Sequence, residues 1–168
     1  MNSMREVQIE KVTVNMGVGQ TGEELEKAII IMEKITGAKP IKTVSRVRQP
    51  TWGLRLGLTI GTKVTMRKKR AEDFLKNALQ AKDNTLNEKS FDKNGNFGFG
   101  IREYIDLPKT KYDPRLGIRG FDVLVSLKRP GFRVKRRKLK KTKIPLKHKV
   151  SKQEAIEFMK QKFGVVVK

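Results

Sequence analysis

Lys11-Val12-Thr13-Val14-Asn15-Met16-Gly17-Val18-Gly19-Gln20-Thr21-Gly22-Glu23-Glu24-Leu25 is the stretch that decides the fold. Val12, Val14 and Met16 alternate with Lys11, Thr13 and Asn15, the two-residue period of a strand with one buried and one polar face. Glycines then permit a sharp turn. Thr21 to Glu24 reads as a capping box, and Leu25, Ala28, Ile29, Met32 and Ile35 follow at helical spacing. Gly37 closes this helix and Pro40 prevents its restart. A half-polar strand running straight into an amphipathic helix is one part of a sheet covered by helices.

The rest of the chain repeats the logic. Ile41 to Val47 reads as a second strand, and Val64 and Met66 alternate with Lys63, Thr65 and Arg67 in a third. Between them, Pro50, Gly53, Gly57 and Gly61 mark a long loop or mobile hairpin over about 49–61. A helix follows, with Ala71, Phe74, Leu75, Ala78 and Leu79 on one face. Phe97, Phe99 and Ile101 alternate, as do Phe121, Val123, Val125 and Leu127, giving two more strands. Ser151-Lys152-Gln153-Glu154 is a capping box that opens a last helix over about 151–163. The expected fold is α+β: a mostly antiparallel sheet with helices packed on one face, plus a basic extended segment and a C-terminal helix. At 168 residues the chain is read as a single domain, 1–168.

Charge narrows the function. The chain carries 39 Lys and Arg against 17 Asp and Glu, a formal net charge of +22. Such an excess repels itself unless a polyanion neutralises it, and nucleic acid rewards it by releasing condensed counterions. A membrane surface is the competing partner, but no amphipathic basic helix and no lipidation motif supports it. The amino terminus has no apolar run of signal-peptide length, and no stretch approaches the roughly 18 apolar residues of a membrane span. With no cysteine and a single histidine, His148 in a lysine-rich stretch, thiolate zinc sites and histidine-based triads cannot be assembled. The reading is no catalytic residue, no metal and no cofactor, in a reducing, cytoplasmic setting. The acid pairs Glu23–Glu24 and Glu72–Asp73 are assigned to first helical turns, where acids favour the positive helix end.

Four motifs each carry two readings. Gly17-Val18-Gly19-Gln20-Thr21-Gly22 fits GxGxxG between strand and helix, the context of a dinucleotide-binding turn. That site needs an acid after the second strand, and residues 37–50 contain none. The turn is therefore read as glycine-permitted geometry, with a small nucleotide-binding enzyme as the rival function. Gly95-Asn96-Phe97-Gly98-Phe99-Gly100-Ile101 is akin to the aromatic strand of RNA-recognition motifs, yet lacks its basic residue and branched apolar position. Phe97 and Phe99 are read as core. The polar strand residues Lys11, Thr13 and Asn15, with Lys63, Thr65 and Arg67, combine cations with hydroxyl and amide groups that suit phosphate and 2′-hydroxyl oxygens. An ordinary solvated face is the competing account. In the loop, Arg46, Arg48, Trp52 and Arg55 set one aromatic among cations, either to stack on RNA or with Trp52 anchoring the loop in the core.

Lys128 to Lys149 holds twelve Lys and Arg and no acid. No period there buries an apolar face, so the segment (about 128–149) is expected to be extended and, without RNA, disordered. Arg129, Arg133, Arg136, Arg137, Lys138, Lys140 and Lys141 are its expected phosphate contacts. A generic RNA chaperone remains a second rival at this point.

Several of these motifs, in order and in register, resemble one family. Lys11 to Gly19, Thr36-Gly37-Ala38-Lys39-Pro40, Lys63 to Arg67 and Gly95 to Ile101 are similar to the universal large-subunit ribosomal protein five. Arg129-Pro130-Gly131-Phe132-Arg133-Val134 and His148-Lys149-Val150-Ser151 resemble its archaeal and eukaryotic branch. The resemblance implies a structural protein that attaches 5S rRNA to the central protuberance. It implies contacts with large-subunit rRNA, neighbouring ribosomal proteins, a small-subunit head protein and the peptidyl-site tRNA, as a monomer within the ribosome. It implies that Lys11, Asn15 and Thr65 contact 5S rRNA, and that the segment around Arg46 to Gly61 approaches tRNA. The family commonly has glutamine where this chain has Ala38.

Overall fold

The structure is a computed structural model and describes residues 2–108 and 110–168. Its main elements are β1 (Gln8–Gly17), α1 (Glu23–Thr36), β2 (Ile41–Val44), β3 (Thr59–Met66), α2 (Lys68–Gln80), β4 (Thr85–Leu86), β5 (Phe97–Ile101), β6 (Phe121–Lys128), α3 (Arg133–Arg136), α4 (Lys152–Phe163) and β7 (Val166–Val167). Five strands form one sheet in the order β2-β3-β1-β6-β5, and β4 pairs in parallel with β7. The α+β class, the antiparallel sheet carrying helices and the C-terminal helix are as expected.

The chain packs as two compact units, one of residues 1–12, 66–99 and 124–168, the other of 13–65 and 100–123. In the first, Val12, Met66, Phe97, Phe99, Val125 and Leu127 are buried strand residues. Helix α2 adds Ala71, Phe74, Leu75, Ala78 and Leu79, and α4 adds Ala155 and Met159. Each buried Leu or Phe is worth about 1.5–3 kcal/mol. Lys162 of α4 reaches Glu72 of α2 at 2.8 Å. In the second unit, Val14, Met16, Val64, Phe121 and Val123 meet Leu25, Ala28, Ile31 and Met32 of α1 in the buried set.

Helix starts show where local chemistry wins and loses. Ser151 caps α4 as expected: its hydroxyl accepts from the Glu154 N–H at 3.3 Å, and Glu154 accepts from the Ser151 N–H at 2.9 Å. The box assigned to Thr21 does not form. Gly22, at φ 99°, is the N-cap of α1 and offers no side chain. The glycine's freedom at positive φ lets the chain turn later than Thr21 would. Glu23, Glu24 and Glu26 occupy the first turn instead, opposite the helix dipole's positive end. Glu72 and Asp73 lie beyond the first turn of α2, which contains no acid.

Strand β2 ends at Val44 rather than Val47. A register irregularity between Thr43 and Val44 disturbs the ladder, and the Ser45 hydroxyl donates to the Val47 carbonyl at 2.7 Å, bending the chain away. The glycine in β3 serves close packing. A Cβ on Gly61 would lie 2.8 Å from the Met16 carbonyl oxygen and 2.9 Å from the Thr43 hydroxyl. Strands β4 and β7, two residues each, are additions to the expected set.

Candidate nucleic-acid interface

The alternation of β1 survives in three dimensions: Val12, Val14 and Met16 are buried, while Lys11, Thr13 and Asn15 are half-exposed. On the neighbouring β3, Val64 and Met66 are buried and Lys63 and Thr65 are exposed. Thr13, Asn15, Lys63 and Thr65 therefore share the face turned away from the core, because side chains on adjacent strands keep the same in–out phase. Ile41 pairs directly with Lys63 and brings an exposed apolar side chain to that face. Neither Lys11 nor Lys63 has an acidic partner among the described residues. Arg67 stands apart from this set. It lies one residue past β3, as the extended, exposed N-cap of α2.

Strand β6 supplies a contribution that sequence reasoning missed. Phe121, Val123, Val125 and Leu127 are buried, so Asp122, Leu124, Ser126 and Lys128 take the other face. Leu124 is exposed, and Ser126 and Lys128 are half-exposed. The alternation that marked the buried set would have found them. On β5 that face carries only Gly98 and Gly100. A Cβ on Gly100 would reach 3.5 Å from an Asp122 carboxylate oxygen. The glycines keep this part of the surface flat.

The β2–β3 connection contains a hydrogen-bonded turn with cations around it. Gln49 and Leu54 exchange both backbone hydrogen bonds, at 2.9 and 3.0 Å, around a 3-10 turn over Pro50–Trp52. Gly53 takes φ 66° to close it. Arg46, Arg48 and Arg55 are exposed, and Trp52 is 72% exposed, so this side chain does not anchor the loop in the core. Val44, Val47 and Leu56 are exposed beside it.

The basic segment combines a short helix and turns with stretches outside regular structure. Gly131, at φ 90°, turns the chain into the short helix α3, and the Thr142 N–H reaches back to the Val134 carbonyl at 3.4 Å. Arg133, Arg137, Lys138, Lys140 and Lys141 are exposed. Arg136 forms an ion pair with Glu10, and the Arg137 Nε–H donates to the Lys140 carbonyl at 2.7 Å.

Arg129 corrects the expectation placed on it. It is only 7% exposed and is held 2.5 Å from a Glu154 carboxylate oxygen, with a further 3.4 Å contact to the Lys147 carbonyl. Its place is inside the scaffold, where it fastens the start of the basic segment to α4. Burial pushes the Glu154 carboxyl up, but the Ser151 backbone N–H and the Arg129 guanidinium outweigh it, so the group sits below the ordinary carboxylate range. His148 belongs to the same clasp, its Nε2 lying 2.8 Å from the Pro130 carbonyl oxygen.

Gly19 and Gly22 both adopt positive φ, which is the tight-turn account of the GxGxxG stretch. Among the described residues no cluster of His, Asp or Glu is arranged to hold a metal ion, and no helix is long and apolar enough to cross a membrane.

An open sheet face bearing cations, hydroxyls and amides is the kind of surface that a polyanion-binding α+β protein presents. The comparisons with known proteins agree with that class. Residues 2–55 match the family model "Ribosomal protein L5", and residues 59–158 match the model of the same ribosomal family's C-terminus. The chain is 49% identical over 168 residues to the large ribosomal subunit protein uL5 of Sulfurisphaera tokodaii, across 99% of this chain and 95% of that one. It is 48% identical to the protein of the same name from Methanoregula boonei, across 98% of this chain and 100% of that one. A third such protein, from Methanococcus vannielii, is also 48% identical, across 98% of this chain and 92% of that one. The chain belongs to the ribosomal protein L5 family, with relatives of archaeal type, and so to the RNA-binding proteins of translation rather than to the enzymes.

Proposed function

We propose that this protein binds 5S rRNA within the large ribosomal subunit through the open face of its sheet. The observation that carries the reading is the set Lys11, Thr13, Asn15, Lys63 and Thr65, all accessible and turned away from the core. Cations there attract phosphates, and the hydroxyl and amide groups match 2′-hydroxyls and base edges. Ser126 and Lys128 present a hydroxyl and a cation on the outer face of β6. Arg67 and the exposed cations of the basic segment add phosphate contacts, with neighbouring large-subunit rRNA and ribosomal proteins beside them.

The exposed Trp52 among Arg46, Arg48 and Arg55 suits stacking against RNA under cationic guidance. On that basis the β2–β3 turn contacts the peptidyl-site tRNA, and a further surface contacts the small-subunit head. The protein works as a monomer in the cytoplasmic ribosome.

The test is filter binding at fixed salt to 5S rRNA and to an unrelated structured RNA of equal length. Wild type should prefer 5S rRNA. Asn15→Ala with Thr65→Ala should erode that preference by about 1–3 kcal/mol per lost hydrogen bond without changing the melting temperature. Equal affinity of wild type for both RNAs would favour an RNA chaperone instead.

A further inference from the structure

A cleft of about 1100 Å³ opens among β1, the end of β6 and the basic segment. Its lining has three chemically distinct parts. Six cations border it: Lys11, Lys135, Arg136, Lys141, Lys143 and Lys149. Glu10 is the single acid in the lining, and it is engaged with Arg136. The five lysines have no acidic partner among the described residues. A wall of Leu127, Phe132, Ile144, Leu146 and Val150 supplies apolar surface. Asn94 and Asn96 supply amides, that of Asn94 donating to an Asp92 carboxylate oxygen at 3.5 Å.

Each part excludes some occupants. Five unpaired lysines at one opening call for several negative charges. An RNA duplex offers its phosphates but keeps its bases stacked inside, so Leu146, which is 81% exposed, and the rest of the wall would stay facing water. An acidic peptide satisfies the lysines but brings no flat ring with donors and acceptors along its edge. An unpaired nucleotide answers all three parts: phosphates for the lysines, a ring face for the wall and a base edge for the amides. The volume slightly exceeds the roughly 300–1,000 Å³ of pockets that hold a drug-sized molecule, which leaves room for a base, its sugar and the flanking phosphates.

We propose that this cleft takes an unpaired nucleotide of a bound RNA, with its phosphates on the lysine rim, its base on the Phe132–Ile144–Leu146 wall and its base edge at Asn94 and Asn96. The inference rests on the reading of the protein as RNA-binding, and it adds a site that selects unpaired RNA to a segment otherwise assigned to phosphates alone.

Two uncharged replacements isolate the base-binding part: Asn94→Ala with Leu146→Ser, both at exposed positions, and Asn96→Ala with Ile144→Ser. Fluorescence anisotropy of the full chain is read with an unstructured hexaribonucleotide and with an RNA duplex carrying the same number of phosphates. Each double variant should lose about tenfold in affinity for the single strand, with duplex affinity and the salt slope unchanged. Equal losses on both probes, or no loss on either by the Asn94 and Leu146 variant, would overturn the proposal. So would displacement of the hexanucleotide by polyglutamate of equal charge at equal concentration. The preference of wild type for 5S rRNA is measured separately. Its absence would sink the 5S reading and leave the single-strand result standing.

Discussion

Arg133, Arg137, Lys138 and Lys140 are exposed and lie outside both the cleft lining and the sheet face. Replacing all four with glutamine removes four positive charges and touches no buried contact. If each neutralises one phosphate, the slope of log affinity against log salt flattens by about 0.7–0.9 per contact, hence by about 2.8–3.6 in total. Raising salt from about 50 to 200 mM should then cost the variant about 50- to 150-fold less affinity than it costs wild type. Phosphates carry no base sequence, so affinity for 5S rRNA and for an unrelated RNA should fall by similar factors. Asn15→Ala with Thr65→Ala should do the opposite: less preference, same slope. Filter binding of both RNAs across a salt series reads all of this. A quadruple variant that lost its preference for 5S rRNA at an unchanged slope would refute the division between phosphate contacts and the sheet face.

Three further outcomes follow from the geometry. Arg129→Ala leaves the partly exposed Glu154 carboxylate without its cation, and should cost about 1.5–3 kcal/mol of stability, below the 3–5 kcal/mol typical of a fully buried pair; an unchanged urea midpoint would remove Arg129 from the scaffold. Because the folded pKa of Glu154 is depressed, its contribution is fully present above the ordinary value of 4.5 and is lost as pH falls through the lower folded value. The stability difference between wild type and Glu154→Gln should therefore shrink as pH is lowered below 4.5, and urea melts on either side of that pH decide it. In the β2–β3 turn, the amides of Gln49 and Leu54 are hydrogen-bonded while those of Arg46, Arg48 and Arg55 have no backbone acceptor among the described residues, so hydrogen exchange should protect the first pair and not the other three; uniform protection would contradict a solvent-facing turn.

What was legible in the sequence was local. The buried sides of β1, β5 and β6 could be read because alternation is a property of the strand alone. Ser151 could be read because its partner Glu154 lies three residues away. Thr21 misleads because Gly22 takes the cap by its backbone conformation, which residue type only permits. Strands β4 and β7 were invisible, since two residues carry no period and their pairing joins positions about eighty apart. Arg129 could not be told from its neighbours: a cation facing phosphate and one buried against an acid twenty-five residues away look alike in a basic run. For the candidate interface, the strand residues were readable and the cleft was not. Asn94 and Asn96 come from a turn far in sequence from the lysines they face, and only the fold brings them together.

The placement of the acids shows why so basic a chain folds and yet remains incomplete alone. Glu24 reaches Lys27 and Arg119, Asp113 reaches Lys34, Glu88 reaches Lys152, Glu72 reaches Lys162 and Glu154 holds Arg129. Apart from the buried Arg129, these pairs lie at the surface and are each worth at most about 1 kcal/mol. What they do collectively is keep cations of the scaffold from repelling one another. Asp122 is the carboxylate on the sheet face and Glu10 the one that meets the basic segment, where Lys and Arg outnumber them. Charge that is neither paired inside the fold nor spread evenly over it has to be balanced from outside. The balancing charge must follow a strand face, a curled segment and a cleft with an apolar wall. A folded RNA, carrying phosphates on its helices and unpaired bases in its loops, has the chemistry for all three.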